Sequence, residues 1–101
     1  MEDGLIAIDV AWKHDFVAEP VRLVSLLDRN RYEIRKLEFF RDGRVGFADE
    51  KSATLGTQLG LQAVPALTAI NTDPQFEAHE LTLQAFETLW RINVPHSNHI
   101  A

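Results

Sequence analysis

The segment that most constrains this chain is a tight reversal. Arg41-Asp42-Gly43-Arg44 stands between two alternating apolar pairs, Leu37 and Phe39 before it, Val45 and Phe47 after it. Asp-Gly between such runs is a strong hairpin signal, because a tight turn needs a residue that accepts positive φ. Two registers compete. A two-residue loop at Asp42-Gly43 pairs Phe39 with Gly46 and Leu37 with Ala48. A three-residue loop over Arg41-Asp42-Gly43, with Gly43 left-handed in a bulge, pairs Phe39 with Val45 and Leu37 with Phe47. The second puts four large apolar side chains on one face, so the hydrophobic pattern selects it.

Other strands follow from the same reasoning. Residues 5–13 alternate, with Ile6, Ile8, Val10 and Trp12 on one parity, a strand signal. A loop closed by Pro20 leads to a second strand at Val21–Leu27, and the polar run Asp28-Arg29-Asn30-Arg31 turns the chain into a third strand from Tyr32. Tyr32 and Ile34 are out of phase with Leu37 and Phe39, which predicts a β-bulge near Arg35-Lys36 that brings both pairs to the core. After Asp49 the composition is loop-like, with a short edge strand expected at Thr57, Leu59 and Leu61. Pro65 fits the start of a short helix through Ile70. Phe76–Leu81 reads as a brief strand or an extended connector. Thr82 is the expected N-cap of a helix whose Leu83, Phe86, Leu89 and Trp90 share one face, ended by Asn93-Val94-Pro95. The expected fold is α+β: a mainly antiparallel sheet of four or five strands, with a short helix and a longer C-terminal helix packed on one face.

Composition bounds the rest. With 101 residues, 46% hydrophobic and 25% charged, the chain has the make-up of one globular domain, expected at 1–95 with a loose tail at 96–101. A net charge of −5 has the wrong sign for a general binder of nucleic acid or anionic membrane. No cysteine is present, so disulfides, thiol nucleophiles and thiolate metal sites are excluded. The acidic start Met1-Glu2-Asp3-Gly4 is unlike a signal peptide, and no apolar run approaches the ~20 residues that span a bilayer. A cytoplasmic location and no membrane partner are expected.

Motifs for chemistry are sparse. No phosphate-binding glycine loop and no nucleophile elbow is present. His14-Asp15 pairs an imidazole with a carboxylate, but neighbours in an extended chain point to opposite sides and do not form a dyad. His79 stands in an acidic stretch with Glu77 and Glu80, and His96 and His99 follow Pro95 in the tail; all three read as solvated. The cations Arg29, Arg31, Arg35, Lys36, Arg41 and Arg44 are interleaved with Glu33, Glu38 and Asp42, the pattern of a solvated strand face with cross-strand ion pairs. No metal site, catalytic residue or cofactor is expected. One feature stands out. Val24, Leu26 and Phe40, with Leu5, Ala7 and Ala11, fall on the sheet face opposite the expected core. Two helices cover one face and not both, so this second face predicts a protein partner or a homodimer contact, unless loop 49–64 folds over it.

Several segments together resemble a family of small bacterial single-domain proteins of unknown function. They are Trp12-Lys13-His14-Asp15-Phe16, Glu19-Pro20-Val21, Tyr32-Glu33-Ile34-Arg35-Lys36, Phe40-Arg41-Asp42-Gly43-Arg44, Ile70-Asn71-Thr72-Asp73-Pro74 and Phe86-Glu87-Thr88-Leu89-Trp90. The likeness covers most of residues 5–90. It implies a single domain and a bacterial setting but no activity, and it marks Trp12, His14, Asp15, Arg35 and Arg41 as positions to follow, to which the apolar face adds Phe40. The leading expectation is a non-enzymatic protein-binding module of immunity or regulatory type. Its alternatives are a small enzyme using His14 and Asp15 with Arg35 as anion anchor, and a structural subunit of a larger assembly.

Overall fold

A computed structural model describes residues 4–95. Strands β1 (Ile6–Trp12), β2 (Pro20–Leu27), β3 (Glu33–Phe40), β4 (Val45–Ala48) and β5 (Phe76–Leu81) form one sheet in the order β4-β3-β2-β1-β5. Every neighbouring pair is antiparallel. A one-turn helix α1 (Leu67–Ile70) precedes β5, and α2 (Leu83–Asn93) follows it. The family of folds is α+β, as the sequence predicts. The expected tail, with His96 and His99, lies outside the described residues.

The hairpin adopts the register chosen by its hydrophobic pattern. Phe39 pairs with Val45 and Leu37 with Phe47. Gly43 has φ +98° and its N–H donates to the Phe40 carbonyl at 3.0 Å, while Phe40 N–H donates to the Arg44 carbonyl at 2.9 Å. The Asp42 carboxylate accepts from Arg44 N–H (3.0 Å) and Arg44 Nε (2.8 Å). The backbone hydrogen bond is the main reason its pKa lies below the ordinary aspartate value.

Both faces of the central strands are apolar, and each has its own cover. Ala7, Val24, Leu26, Leu37 and Phe47 form one cluster, closed by Phe86 of α2 with Leu83, Leu89 and Trp90 packed around it. Trp90 lies edge-on to Phe47 with ring centroids 5.9 Å apart. Ile8, Val10, Leu27 and Ala78 form a second cluster on the other face, covered by Val64 together with Leu67 and Ile70 of α1. Ala7 and Ile8 are sequence neighbours in a strand and therefore point to opposite sides. The two helices are thus divided between the faces rather than packed on one. The expected free apolar face does not exist as such: Ala7, Val24 and Leu26 are buried beneath α2.

Three local expectations need correction. The bulge in β3 falls at Ile34, between the pairs Leu26–Arg35 and Leu27–Glu33, one residue earlier than expected. It leaves Tyr32 and Ile34 exposed instead of bringing them to the core, because the bulge follows the turn and not the hydrophobic phase. No edge strand forms at Thr57, Leu59 and Leu61; the chain after β4 makes a single bridge, Ala48 with Ala53. The reason is polar. Thr57 is buried and its hydroxyl donates to Glu38 Oε1 at 2.9 Å, which pulls the loop across the sheet instead of along its edge. Pro65 lies just outside α1, whose N-cap is Ala66. The expected cap of α2 is present, with Ala85 N–H donating to Thr82 Oγ1 at 3.0 Å.

Gly46 explains how the loop comes so close. A Cβ there would collide with Thr57 Oγ1 and sit 3.2 Å from Leu55 Cβ. At Gly43 a side chain would meet open space, so only the positive φ is restrictive. Gly43→Val should therefore cost about 1–2 kcal/mol through left-handed backbone strain, and Asp42→Asn should be nearly neutral, since an amide oxygen still accepts from Arg44 N–H. Chemical denaturation of both variants checks this; equal, negligible shifts would contradict the turn assignment.

Candidate functional site

The loop from Thr57 to Gln75 is held on the sheet by polar contacts at three places. At the first, Glu33 Oε1 accepts from Gly60 N–H at 2.7 Å, Glu33 Oε2 accepts from Ser25 Oγ at 3.2 Å, and Lys36 Nζ lies 3.3 Å from Glu33. The Lys36 ammonium also donates to the Gln58 carbonyl at 3.3 Å. At the second, Arg31 grips the chain: Nε donates to the Val64 carbonyl at 2.7 Å and Nη2 to the Pro65 carbonyl at 2.6 Å. Val64 N–H returns a bond to the Arg31 carbonyl at 2.8 Å. At the third, the Asn71 side-chain amide bonds both backbone groups of Ala78.

Arg31 is placed by the turn that the polar run predicts. Asp28 Oδ1 accepts from Asn30 N–H (2.8 Å) and Tyr32 N–H (3.0 Å), and Arg31 itself adopts φ +68°. A non-glycine residue in that region costs on the order of 1 kcal/mol, which the three bonds to residues 64–65 offset. Between these anchors the chain arches over apolar sheet and leaves a trough of about 390 Å³. Its floor is Ile8, Val10 and Leu23, and its overhanging wall is Val64, Pro65 and Ile70. Two ionisable groups line it, Glu33 and Asp73, and both are carboxylates. Phe76 closes one end.

Beyond Phe76 lies an aromatic knot containing some of the positions marked in the sequence. Trp12 stacks on Phe76 with centroids 6.0 Å apart and meets His14 at 4.2 Å. Phe16 stacks on His14 at 5.3 Å and is 60% exposed, so the knot carries an apolar tip into solvent. Both His14 nitrogens serve the loop backbone: Nδ1 accepts from Phe16 N–H at 2.9 Å, and Nε2 donates to the Pro20 carbonyl at 2.8 Å. Arg41 Nη2 donates to the His14 carbonyl at 2.8 Å, and Phe40 pairs with Pro20 across the sheet. Trp12, His14, Phe40 and Arg41 are therefore gathered at one end of the sheet. Phe40 is half-buried, with the Arg44 guanidinium 5.2 Å from its ring centre. Asp15 is exposed beside this group.

Arg35 belongs elsewhere. It occupies the row of Leu26 and Ala7, on the α2 side, where Nη1 reaches Glu87 Oε2 at 2.9 Å and the guanidinium lies 5.3 Å from the Trp90 ring centre. Trp12 lies five residues along β1 and on the opposite face, roughly 17 Å away by strand rise. His14, Asp15 and Arg35 therefore do not converge on a pocket, and the enzyme arrangement considered for them is not built. Arg35 instead lines a polar cleft of about 350 Å³ with Asp49, Lys51 and Glu87. Burial pushes the Asp49 carboxyl up, but N–H groups of Lys51 and Ser52, each at 2.8 Å, and the charge of Arg35 outweigh this and hold its pKa below the ordinary value.

Sequence reasoning passed over Asp9. It is buried on the α2 side and receives a two-pronged bond from Arg22, Nε to Oδ1 at 3.0 Å and Nη2 to Oδ2 at 2.7 Å. The Arg22 guanidinium, its pKa raised chiefly by this bond, lies over Phe39 at 4.7 Å. His79 is largely exposed, as expected, with Nε2 at 3.8 Å from Asp9 Oδ2. The cross-strand ion pairs expected among these charges do not form: Lys36 lies 3.3 Å from Glu33 and 4.0 Å from Glu38 of its own strand, Arg44 pairs with Asp42 within the turn, and Arg35 pairs from sheet to helix. The trough was also missed. Ile8, Val10 and Phe76 were read only as strand residues, and nothing local in residues 57–75 announces where that loop crosses the sheet.

Among the described residues no group of three or more His, Asp or Glu side chains could hold a metal ion, and no helix is long and apolar enough to cross a membrane. The fold and trough define a small α+β domain with a five-stranded antiparallel sheet clasped by a pinned loop. The chain belongs to a family described as a domain of unknown function (DUF6881), whose model matches residues 7–95. No curated protein and no solved structure matches it.

Two outcomes test this construction. Arg31→Ala removes the bonds to both carbonyls and should cost about 1–3 kcal/mol while raising amide exchange at Val64; Arg31→Lys should rescue it only in part, since an ammonium lacks the fork that spans two acceptors. Exchange at Val64 that is unchanged in Arg31→Ala would contradict the clamp. Because the folded pKa of Asp49 is depressed, its contribution is complete above its unfolded pKa and is lost as pH falls through the folded value. The denaturation midpoint should therefore drop on acidification below about pH 4, and Asp49→Asn should flatten that limb.

Proposed function

We propose that this chain is a non-enzymatic protein-binding module of regulatory or immunity type, acting by docking on a protein partner through the trough. The observation that carries the reading is the trough itself. It joins an apolar floor and wall to a rim whose ionisable groups are both carboxylates, and Phe76 at its lining is in ring contact with Trp12, which in turn meets the exposed Phe16. An apolar site with few polar groups suits an anchor side chain of a partner. Glu33 is already paired with Lys36, so the rim's charge is that of Asp73; within a chain of net −5 it favours a protein segment whose apolar anchor is flanked by lysine or arginine and disfavours nucleic acid. Fully burying one aliphatic or aromatic anchor is worth about 1.5–3 kcal/mol. A short peptide should thus bind weakly, and a folded partner presenting several anchors more tightly.

The test uses the isotope-labelled chain and three N-acetylated, C-amidated peptides: Lys-Phe-Leu-Lys, Glu-Phe-Leu-Glu and Lys-Ser-Ser-Lys. Lys-Phe-Leu-Lys should saturate with a dissociation constant on the order of millimolar and shift the signals of Ile8, Val10, Ile70 and Phe76, while the other two bind at least several-fold more weakly. Ala69→Phe, which adds a ring at the exposed wall of the trough, should abolish these shifts with the fold intact by circular dichroism. Equal binding of all three peptides, shifts confined to another surface, or no binding would overturn the assignment.

A further inference from the structure

The floor of the trough is apolar along most of its length and turns polar at one end. Ile8 pairs with Ser25 across β1 and β2, Ser25 is bonded to Glu33, and both polar residues line the trough. Phe76 pairs with Trp12, four residues further along β1, so the polar and aromatic ends lie roughly 13 Å apart by strand rise. Both polar groups are already out of water: Ser25 is 2% exposed and the Glu33 side chain 10%. A carboxylate offers about four acceptor sites. Glu33 Oε1 accepts from Gly60 N–H at 2.7 Å and lies 3.3 Å from the Lys36 ammonium. Oε2 has one bond, from Ser25 Oγ at 3.2 Å, and room for a second. Ser25 Oγ gives its proton to Glu33 and accepts from no other described residue.

We infer that this end is an acceptor site for an indole N–H, and that the anchor residue the trough selects in a partner is tryptophan. The inference rests on the reading of the trough as a docking site for a protein segment. Charge chooses among the donors. Lys36 already balances Glu33, so a lysine or arginine tip would enter beside a like charge, and an acidic tip would meet the Glu33 carboxylate. A neutral donor meets neither obstacle. The indole N–H donates and does not accept, and this end presents acceptors alone. A phenol would bring lone pairs that find no free donor there. Phenylalanine or leucine would cover Oε2 and Ser25 Oγ without adding a bond.

The rest of the trough suits the rest of the residue. A ring with one polar handle needs an apolar bed beside its hydrogen-bond partner, and Val10 and Leu23 form the next row of the floor. Glu33 is desolvated and held by Gly60, Ser25 and Lys36 before any ligand arrives, so the new bond adds little desolvation or ordering. A flanking lysine then falls toward Asp73, whose carbonyl holds Phe76 N–H at the other end.

The test titrates the isotope-labelled full chain with three N-acetylated, C-amidated peptides: Lys-Trp-Leu-Lys, its analogue with benzothienylalanine for tryptophan, and Lys-Phe-Leu-Lys. Benzothienylalanine keeps nearly the shape and apolar area of tryptophan but has sulfur in place of the N–H. The tryptophan peptide should bind about tenfold more tightly than this analogue, the scale of one hydrogen bond to a charged acceptor, and should move the amide signals of Ser25, Glu33 and Gly60. Glu33→Gln keeps an acceptor for Gly60 N–H and sets an N–H2 group where Oε2 stands, so it should reduce the tryptophan advantage to about twofold or less. Equal affinity of the tryptophan and benzothienyl peptides overturns the inference, while binding of both at the trough leaves the docking reading intact. Failure of all three peptides to bind overturns both. An advantage that persists undiminished in a folded Glu33→Gln also overturns the inference. Where circular dichroism shows that Glu33→Gln has lost the fold, the paired comparison on the natural chain decides alone.

Discussion

The constraint on which everything else rests is that β1 and β2 are apolar on both faces. Ala7, Val24 and Leu26 face one way, Ile8, Val10 and Leu27 the other, and nearly all of them are excluded from water. A two-faced sheet needs two covers, and among the described residues one helix is long enough to serve as such. Helix α2 supplies eleven residues with Phe86 wholly buried. The other face has a single helical turn and a loop. Burial at about 25 cal/mol per Å² drives both covers, but a loop brings too few apolar side chains to be held by burial alone.

Polar bonds make up the difference. Glu33, Glu38 and Lys36 hold residues 57–60, Arg31 holds 64–65 and Asn71 holds the end of α1. A buried or half-buried carboxylate is tolerated only where its lone pairs are satisfied, and Glu33 meets that condition with bonds from Gly60, Ser25 and Lys36. Pins of this kind fix the height of the loop without filling the space beneath it. The trough is the result: an apolar cavity exists because the cover is suspended by hydrogen bonds and not by packing.

Much of the fold was legible because its signals are local. The Arg41–Arg44 turn, the alternation of β1, the Thr82 cap and the periodicity of α2 each depend on residues within a few positions of one another, and each is found where expected. Phase between strands was harder. Leu37 and Phe39 were assigned to the side of Ile8, whereas pairing through β2 puts them with Ala7. One irregular step, such as the bulge at Ile34, is enough to decouple such a reading from one strand to the next. The same limit applied to the site. Trp12, His14, Phe40 and Arg41 do gather at one end of the sheet, but Arg35, in the same basic stretch, belongs to the opposite face.

The sequence by itself determined the elements with short-range causes: a glycine that accepts φ +98° at Gly43, a threonine that caps α2, and a run of alternating apolar residues that can only be a half-buried or fully buried strand. It also determined, by the lack of cysteine, that disulfide and thiolate chemistry is closed to these residues. Tertiary structure alone decided where residues 57–75 cross the sheet, and with that the trough, the role of Arg31 and the bonding of Asn71 to Ala78. The physical reason is separation along the chain. Arg31 meets the carbonyls of Val64 and Pro65 more than thirty positions away, and a single guanidinium in a polar run carries no local mark of the backbone it will find.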